Sequence, residues 1–146
     1  VTTVNSALAQ AAERLITFEA GSAIHNVENA IEVATRIHEK LLQHLAPVIG
    51  ENGFQVLFAR TVRLTKPRFP GMHEAPTNGP SEAFLDQLCA CMKKQAPAAI
   101  TDIVMALLFT FISLLSTFIG EGLTWRLLSN AWPEVLPTEP HSGEMP

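Results

Sequence analysis

The sequence predicts an all-α domain, a bundle of five to six helices around a central apolar helix at about 98–119. Three observations carry this. Apolar residues recur at three- and four-residue spacing in one segment after another. No stretch holds the period-two alternation of a half-buried strand. One run, Ile103–Ile119, contains no charge, no Gly and no Pro, and a helix apolar on all sides has to be covered on all sides.

Length and composition agree with a single core. A chain of 146 residues with 47% hydrophobic and 16% charged residues is about one domain and is not a disordered polymer. The domain is expected over 1–132, with 133–146 as a Pro-rich C-terminal tail. No internal repeat is evident. The net charge of −4 gives no general reason to expect nucleic-acid binding.

Taken in order, the first helix is expected from Thr3 to Ala20, with Val4, Leu8, Ala11, Leu15 and Phe18 on one side. Gly21-Ser22 is a suitable stop. The second carries Val27, Ile31, Ala34, Ile37, Leu41, Leu42, Leu45, Val48 and Ile49 on one face and Glu28, Glu32, Arg36, Glu39, Lys40 and Gln43 on the other. Asn26 can cap its start. Pro47 lacks an N–H and its ring meets the carbonyl of Gln43, which predicts an end or kink near Leu45. Gly50-Glu51-Asn52-Gly53 then punctuates, and a third helix follows from about Gly53 to Lys66, with Phe54, Leu57, Phe58, Thr61 and Val62 inward. Pro67 to Pro80 reads as a long irregular loop.

Ser81-Glu82 opens a fourth helix, with Phe84, Leu88 and Met92 spaced four apart on its apolar side and Leu85 and Cys89 beside them. Pro97 suits the first turn of the fifth, where its missing N–H costs nothing. The sixth, from about Glu121 to Ala131, places Glu121, Trp125, Leu128 and Trp132 on one line. The fifth contains the apolar run. Its seventeen uncharged residues are at the lower limit for crossing a bilayer, which needs about 20. No basic cluster flanks it, and amphipathic helices surround it. It is expected at the core of a soluble, cytoplasmic bundle, with one edge meeting a second copy of the chain and membrane insertion unlikely.

Candidate sites are few. His38 lies mid-stripe on the second helix, where an imidazole can hold a ligand or respond to pH; the plainer expectation is a core histidine hydrogen-bonded to a carbonyl or carboxylate. Glu121, beside the end of the apolar helix, can pair with Arg126 or a buried base. Arg60, Arg63, Lys66 and Arg68 fall within nine positions and suit an anion or an acidic protein partner, or a plain solvated face. His38 and His44 are six apart, not the four that a helical zinc-protease motif needs, and no helical histidine follows to serve as a globin's proximal ligand. Cys89 and Cys91 are two apart, on opposed sides of a helix, so they cannot bridge each other and form no zinc set. No nucleophile–base pair, paired carboxylates or cofactor fingerprint is present. No cofactor or metal is expected.

Three function classes follow. The first is a non-enzymatic helical interaction or regulatory module, homodimeric and acting through surface contacts. The second is a binding module for a small apolar or anionic ligand in a helical pocket near His38. The third is an enzyme of unassigned chemistry, and the residue inventory leans against it.

Overall fold

The computed structural model describes residues 3–20, 27–72 and 81–136. The expected stop at Gly21-Ser22, the Asn26 cap and the greater part of the 67–80 loop and of the 133–146 tail lie outside them. The described residues form five helices, α1 (Thr3–Ala20), α2 (Val27–Thr65), α3 (Ser81–Met92), α4 (Pro97–Ile119) and α5 (Glu121–Ala131), with two short 3-10 turns, Lys66–Arg68 and Pro70–Met72, after α2. The all-α bundle is therefore as expected, with α4 at its centre against α1, α2 and α5.

Pro47 does not end α2. The helix continues to residue 49 and breaks at Gly50, where φ is 83° and ψ 156°. That region of backbone space is open essentially to glycine alone. Gly120, between α4 and α5, has φ 96° and ψ 156°. It ends one helix by donating its N–H to the Ser116 carbonyl at 2.8 Å, and its own carbonyl accepts from the Thr124 N–H at 3.1 Å and Thr124 Oγ1 at 2.7 Å, starting the next.

These two breaks expose a repeat that the sequence conceals. Val27 and Pro97 open equivalent helices 70 positions apart, and the breaks at Gly50 and Gly120 are also 70 apart. A short helix precedes each long one, and a second arm follows each break. Over 27–65 and 97–135 only five aligned pairs are identical, Leu45/Leu115, Ile49/Ile119, Gly50/Gly120, Glu51/Glu121 and Leu57/Leu127. Burial is better retained than identity: Ala30/Ile100, Val33/Ile103, Ile37/Leu107, Leu41/Phe111 and Leu45/Leu115 are buried in both halves.

α2 and α4 share the most extensive helix–helix contact. Phe54 meets Phe111 with ring centroids 5.3 Å apart, and Ile100, Ile103, Ile112 and Leu115 are fully enclosed. Each such side chain gains about 1.5–3 kcal/mol on burial before chain entropy is counted. The core runs on past α5, through Trp132 to Leu136. Burial of α4 is not complete: Met105, Phe109, Ser113 and Leu114 are half-buried, and Phe118 is 61% exposed. Among the described residues α4 is also the one helix long and apolar enough, by length and composition, to cross a membrane.

Two residues expected on inner faces are instead on the rim. Val48 is 48% exposed because α2 turns away two residues later. Phe18, 44% exposed, lies beneath the Lys40 ammonium at 5.5 Å. The same corner holds the main polar tie of the bundle. Glu19 binds Arg36 Nε at 3.2 Å and Lys40 Nζ at 2.9 Å, accepts a 2.8 Å bond from Trp132 Nε1, and takes a further Arg36 bond on its main-chain carbonyl. Burial alone would raise the Glu19 carboxyl, but the bonds from Lys40, Trp132 and Arg36 outweigh it and hold the group below its ordinary value. Glu19 so joins α1, α2 and the end of α5.

Candidate functional site

The repeat brings together the walls of a cavity of about 60 Å³ between α2 and α4. The first arm of α2 lines it with Ala34, Thr35, Ile37, His38 and Leu41, and all of these but Thr35 have their counterparts 70 residues on, Val104, Leu107, Leu108 and Phe111, in the opposite wall. Equivalent positions facing one another are what a local two-fold seam produces. The second arm of α2 closes one side with Phe54 and Phe58, and α3 closes another with Leu88, Cys89 and Met92. The half-buried members Ala34, Thr35, Phe58 and Cys89 form the rim; Ile37, Leu41, Phe54, Met92 and Phe111 form the buried floor.

His38 is the one ionisable nitrogen base in this wall and is 9% exposed. Its ring stands edge-on to Phe54 and Phe58, with centroids 5.4 and 4.8 Å away. The expected carbonyl or carboxylate partner is absent: among the described residues the imidazole makes no hydrogen bond or ion pair. Burial among apolar side chains lowers its pKa from 6.5 to about 4, so at neutral pH the ring is uncharged and offers one donor and one acceptor. The ring nitrogens are not sealed from solvent, since the one enclosed side-chain polar atom without a partner among the described residues is Thr65 Oγ1, so water or a ligand can reach the imidazole.

The rim adds little further polarity. Thr35 Oγ1 donates to the Ile31 carbonyl at 2.9 Å. Burial pushes the Cys89 thiol up, partly offset by Thr35 and Lys93 and reinforced by Asp86, so it is poorly suited to act as a nucleophile. Both cysteines are free thiols, as their spacing predicts; Cys91 lies against the Gly71 carbonyl at 3.4 Å.

The other candidate residues lie elsewhere. Glu121 is exposed in the first turn of α5, where a carboxylate complements the helix dipole, and does not reach the cavity. Arg60 and Arg63 are exposed on the second arm of α2. Lys66 and Arg68 are on the 3-10 turn, with the Arg68 guanidinium 5.9 Å from the Phe69 ring centre. Arg68 borders a separate surface groove with Glu13 and Asp102, above Phe69, Met105 and Phe109. The basic residues are thus not gathered around one enclosed anion. No cluster of three or more His, Cys, Asp or Glu suited to a metal occurs among the described residues.

The sequence singled out His38 but not its surroundings. Phe54 and Phe58 were legible as inward residues, whereas their meeting with His38 depends on the fold at Gly50. Comparison of the chain with protein-family models, with curated proteins and with solved structures finds no match.

Proposed function

We propose that this chain is a non-enzymatic binding module that takes a small, mainly apolar ligand into the seam between α2 and α4 and holds its polar end on His38. The observation that carries the reading is the neutral, buried His38 ring, without a hydrogen-bond partner among the described residues, on a cavity whose other described walls are apolar apart from Thr35 and Cys89 at the rim. Binding sites of this kind are largely apolar, with a few convergent polar groups that orient the ligand. The test is a methyl NMR titration with a panel of four- to six-carbon molecules. Shifts are expected at the methyls of Met92, Ile37 and Leu108, and Ala34→Leu, which fills the rim, should abolish them. A spectrum that no member of the panel perturbs at these methyls rejects the reading.

A second reading, homodimerisation through the outer edge of α4, is favoured by Phe118 at 61% exposure beside half-buried Leu114. A solvent-facing phenylalanine next to other apolar groups is a common mark of an interface. Sedimentation should then show a concentration-dependent dimer that Phe118→Glu dissociates; a monomer at high concentration removes this second reading.

A further inference from the structure

The walls of the seam cavity restrict its occupant further than "small and apolar". Size is the first restriction. A cavity of roughly 150 Å³ admits benzene, and this one has about 60 Å³. A six-membered ring does not fit without opening the core, whereas the end of an unbranched chain does. Charge is the second. Among the described residues the lining includes no Lys, Arg, Asp or Glu, and against that wall a carboxylate or ammonium head would enter unpaired, at a large desolvation cost. At the rim, Lys93 and Asp86 act on Cys89 with opposite sign.

Hydrogen-bond capacity is the third. A neutral imidazole has one N–H and one bare nitrogen, and the wall does not dictate which of the two faces inward. A hydroxyl both donates and accepts, so it satisfies whichever nitrogen it meets. An ether or halide can satisfy at most one of them, and an alkane neither. The Phe54 and Phe58 rings standing edge-on to the imidazole hold it in place, so the head group has to come to the ring.

We infer that the ligand is an unbranched aliphatic alcohol, or a longer chain ending in a neutral hydroxyl, seated with its O–H on the His38 ring and its first carbons among Leu108, Phe111 and Met92. This rests on the reading of the cavity as a ligand site, and the experiment separates the two. Binding of 1-pentanol, 1-chlorobutane, cyclohexanol and pentanoate to the full chain is followed at pH 7 by methyl NMR, together with the ¹⁵N shifts of the His38 ring in the unmutated protein.

The expected order places 1-pentanol first. It should bind about tenfold tighter than 1-chlorobutane, a ratio that one neutral hydrogen bond can supply, and more than tenfold tighter than pentanoate; cyclohexanol should fail to enter. The His38 ring nitrogens should shift with 1-pentanol alone, and His38→Leu should remove the advantage of the alcohol over the chloride. Equal binding of 1-pentanol and 1-chlorobutane, or unmoved ring nitrogens, overturns the inference while leaving the cavity as an apolar site. Pentanoate binding as tightly as the alcohol overturns it in favour of an anion. If none of the four binds, the ligand-site reading itself fails, and ordered water is what satisfies His38.

Discussion

In the 27–65 half of the repeat, His38 and Phe54 stand where the 97–135 half has Leu108 and Thr124. Leu108 is 4% exposed and His38 9%, so the two positions are buried alike on either side of one seam. The second half shows that this architecture accepts leucine there. Histidine is therefore not imposed by the backbone, and its presence needs a chemical reason. The Phe54/Thr124 pair shows a similar division. Thr124 turns its hydroxyl back to the Gly120 carbonyl and completes the break in its half, whereas Phe54 turns its ring onto His38 and Phe111. One half closes its break with a hydrogen bond; the other supplies aromatic walls to the cavity. A duplicated skeleton thus carries one asymmetric site.

The largest expected effect tests the seam itself. Leu107 is buried in it, opposite the Ile37 wall, while Leu114 lies half-buried on the outer edge of α4. Leu107→Asp places an unpaired carboxylate in the core and should cost more than about 4 kcal/mol, enough to unfold a domain of this size. Leu114→Asp can reach water and should cost about 1–2 kcal/mol. Urea denaturation followed by circular dichroism distinguishes them. Comparable costs at the two sites would mean that the seam is not the closed contact described here.

The second effect compares the halves through pH. His38 has its pKa lowered to about 4 in the folded chain, against 6.5 when unfolded. Between those values the unfolded state binds the extra proton, so this contribution to stability is complete above pH 6.5 and is lost as pH falls towards 4. At 1.36 kcal/mol per unit the loss is about 3 kcal/mol. Glu19, also held low, contributes above its ordinary value of 4.5 and loses that contribution only as pH falls further, through its folded value. His38→Leu, which gives the first half the residue of the second, should be neutral or stabilising at pH 7 and should flatten the stability profile between pH 6.5 and 4.5. The decline below that, due to Glu19, should remain. An unchanged profile in the variant would mean that the ring is not buried neutral.

Much of the bundle was legible from periodicity. Thr3–Ala20 and Glu121–Ala131 have the limits that their apolar stripes and punctuating glycines imply, because capping and patterning act within a few residues. The break in α2 falls at the punctuating Gly50 and not at the end or kink expected near Leu45, because removing one donor at Pro47 only weakens a helix, whereas Gly50 can leave helical space altogether. The repeat was hidden because burial constrains volume and polarity more than identity: Ala34/Val104 and Leu41/Phe111 preserve a wall without preserving a letter. The burial of Glu19, whose side chain is 7% exposed, was not legible from its own helix, because its partners Lys40 and Trp132 come from distant segments.

The smallest effect asks whether the two breaks are equivalent. Gly50 and Gly120 have nearly the same backbone angles, and a Cβ on either meets no atom within 4 Å. Alanine at each is therefore opposed by backbone conformation and not by crowding, so both substitutions should cost about 1–3 kcal/mol. Gly71 provides the contrast. A Cβ there would collide with the Gln95 amide, which also donates to the Gly71 carbonyl at 2.9 Å, so Gly71→Ala acts by pushing aside the end of the Gln95 side chain and not through φ. Urea denaturation of Gly50→Ala and Gly120→Ala should give values within about 0.5 kcal/mol of each other and, for breaks far apart, an additive double variant. A strong inequality would show that one break is held by its surroundings and the other by its glycine alone, and the two halves would then share a shape without sharing its cause.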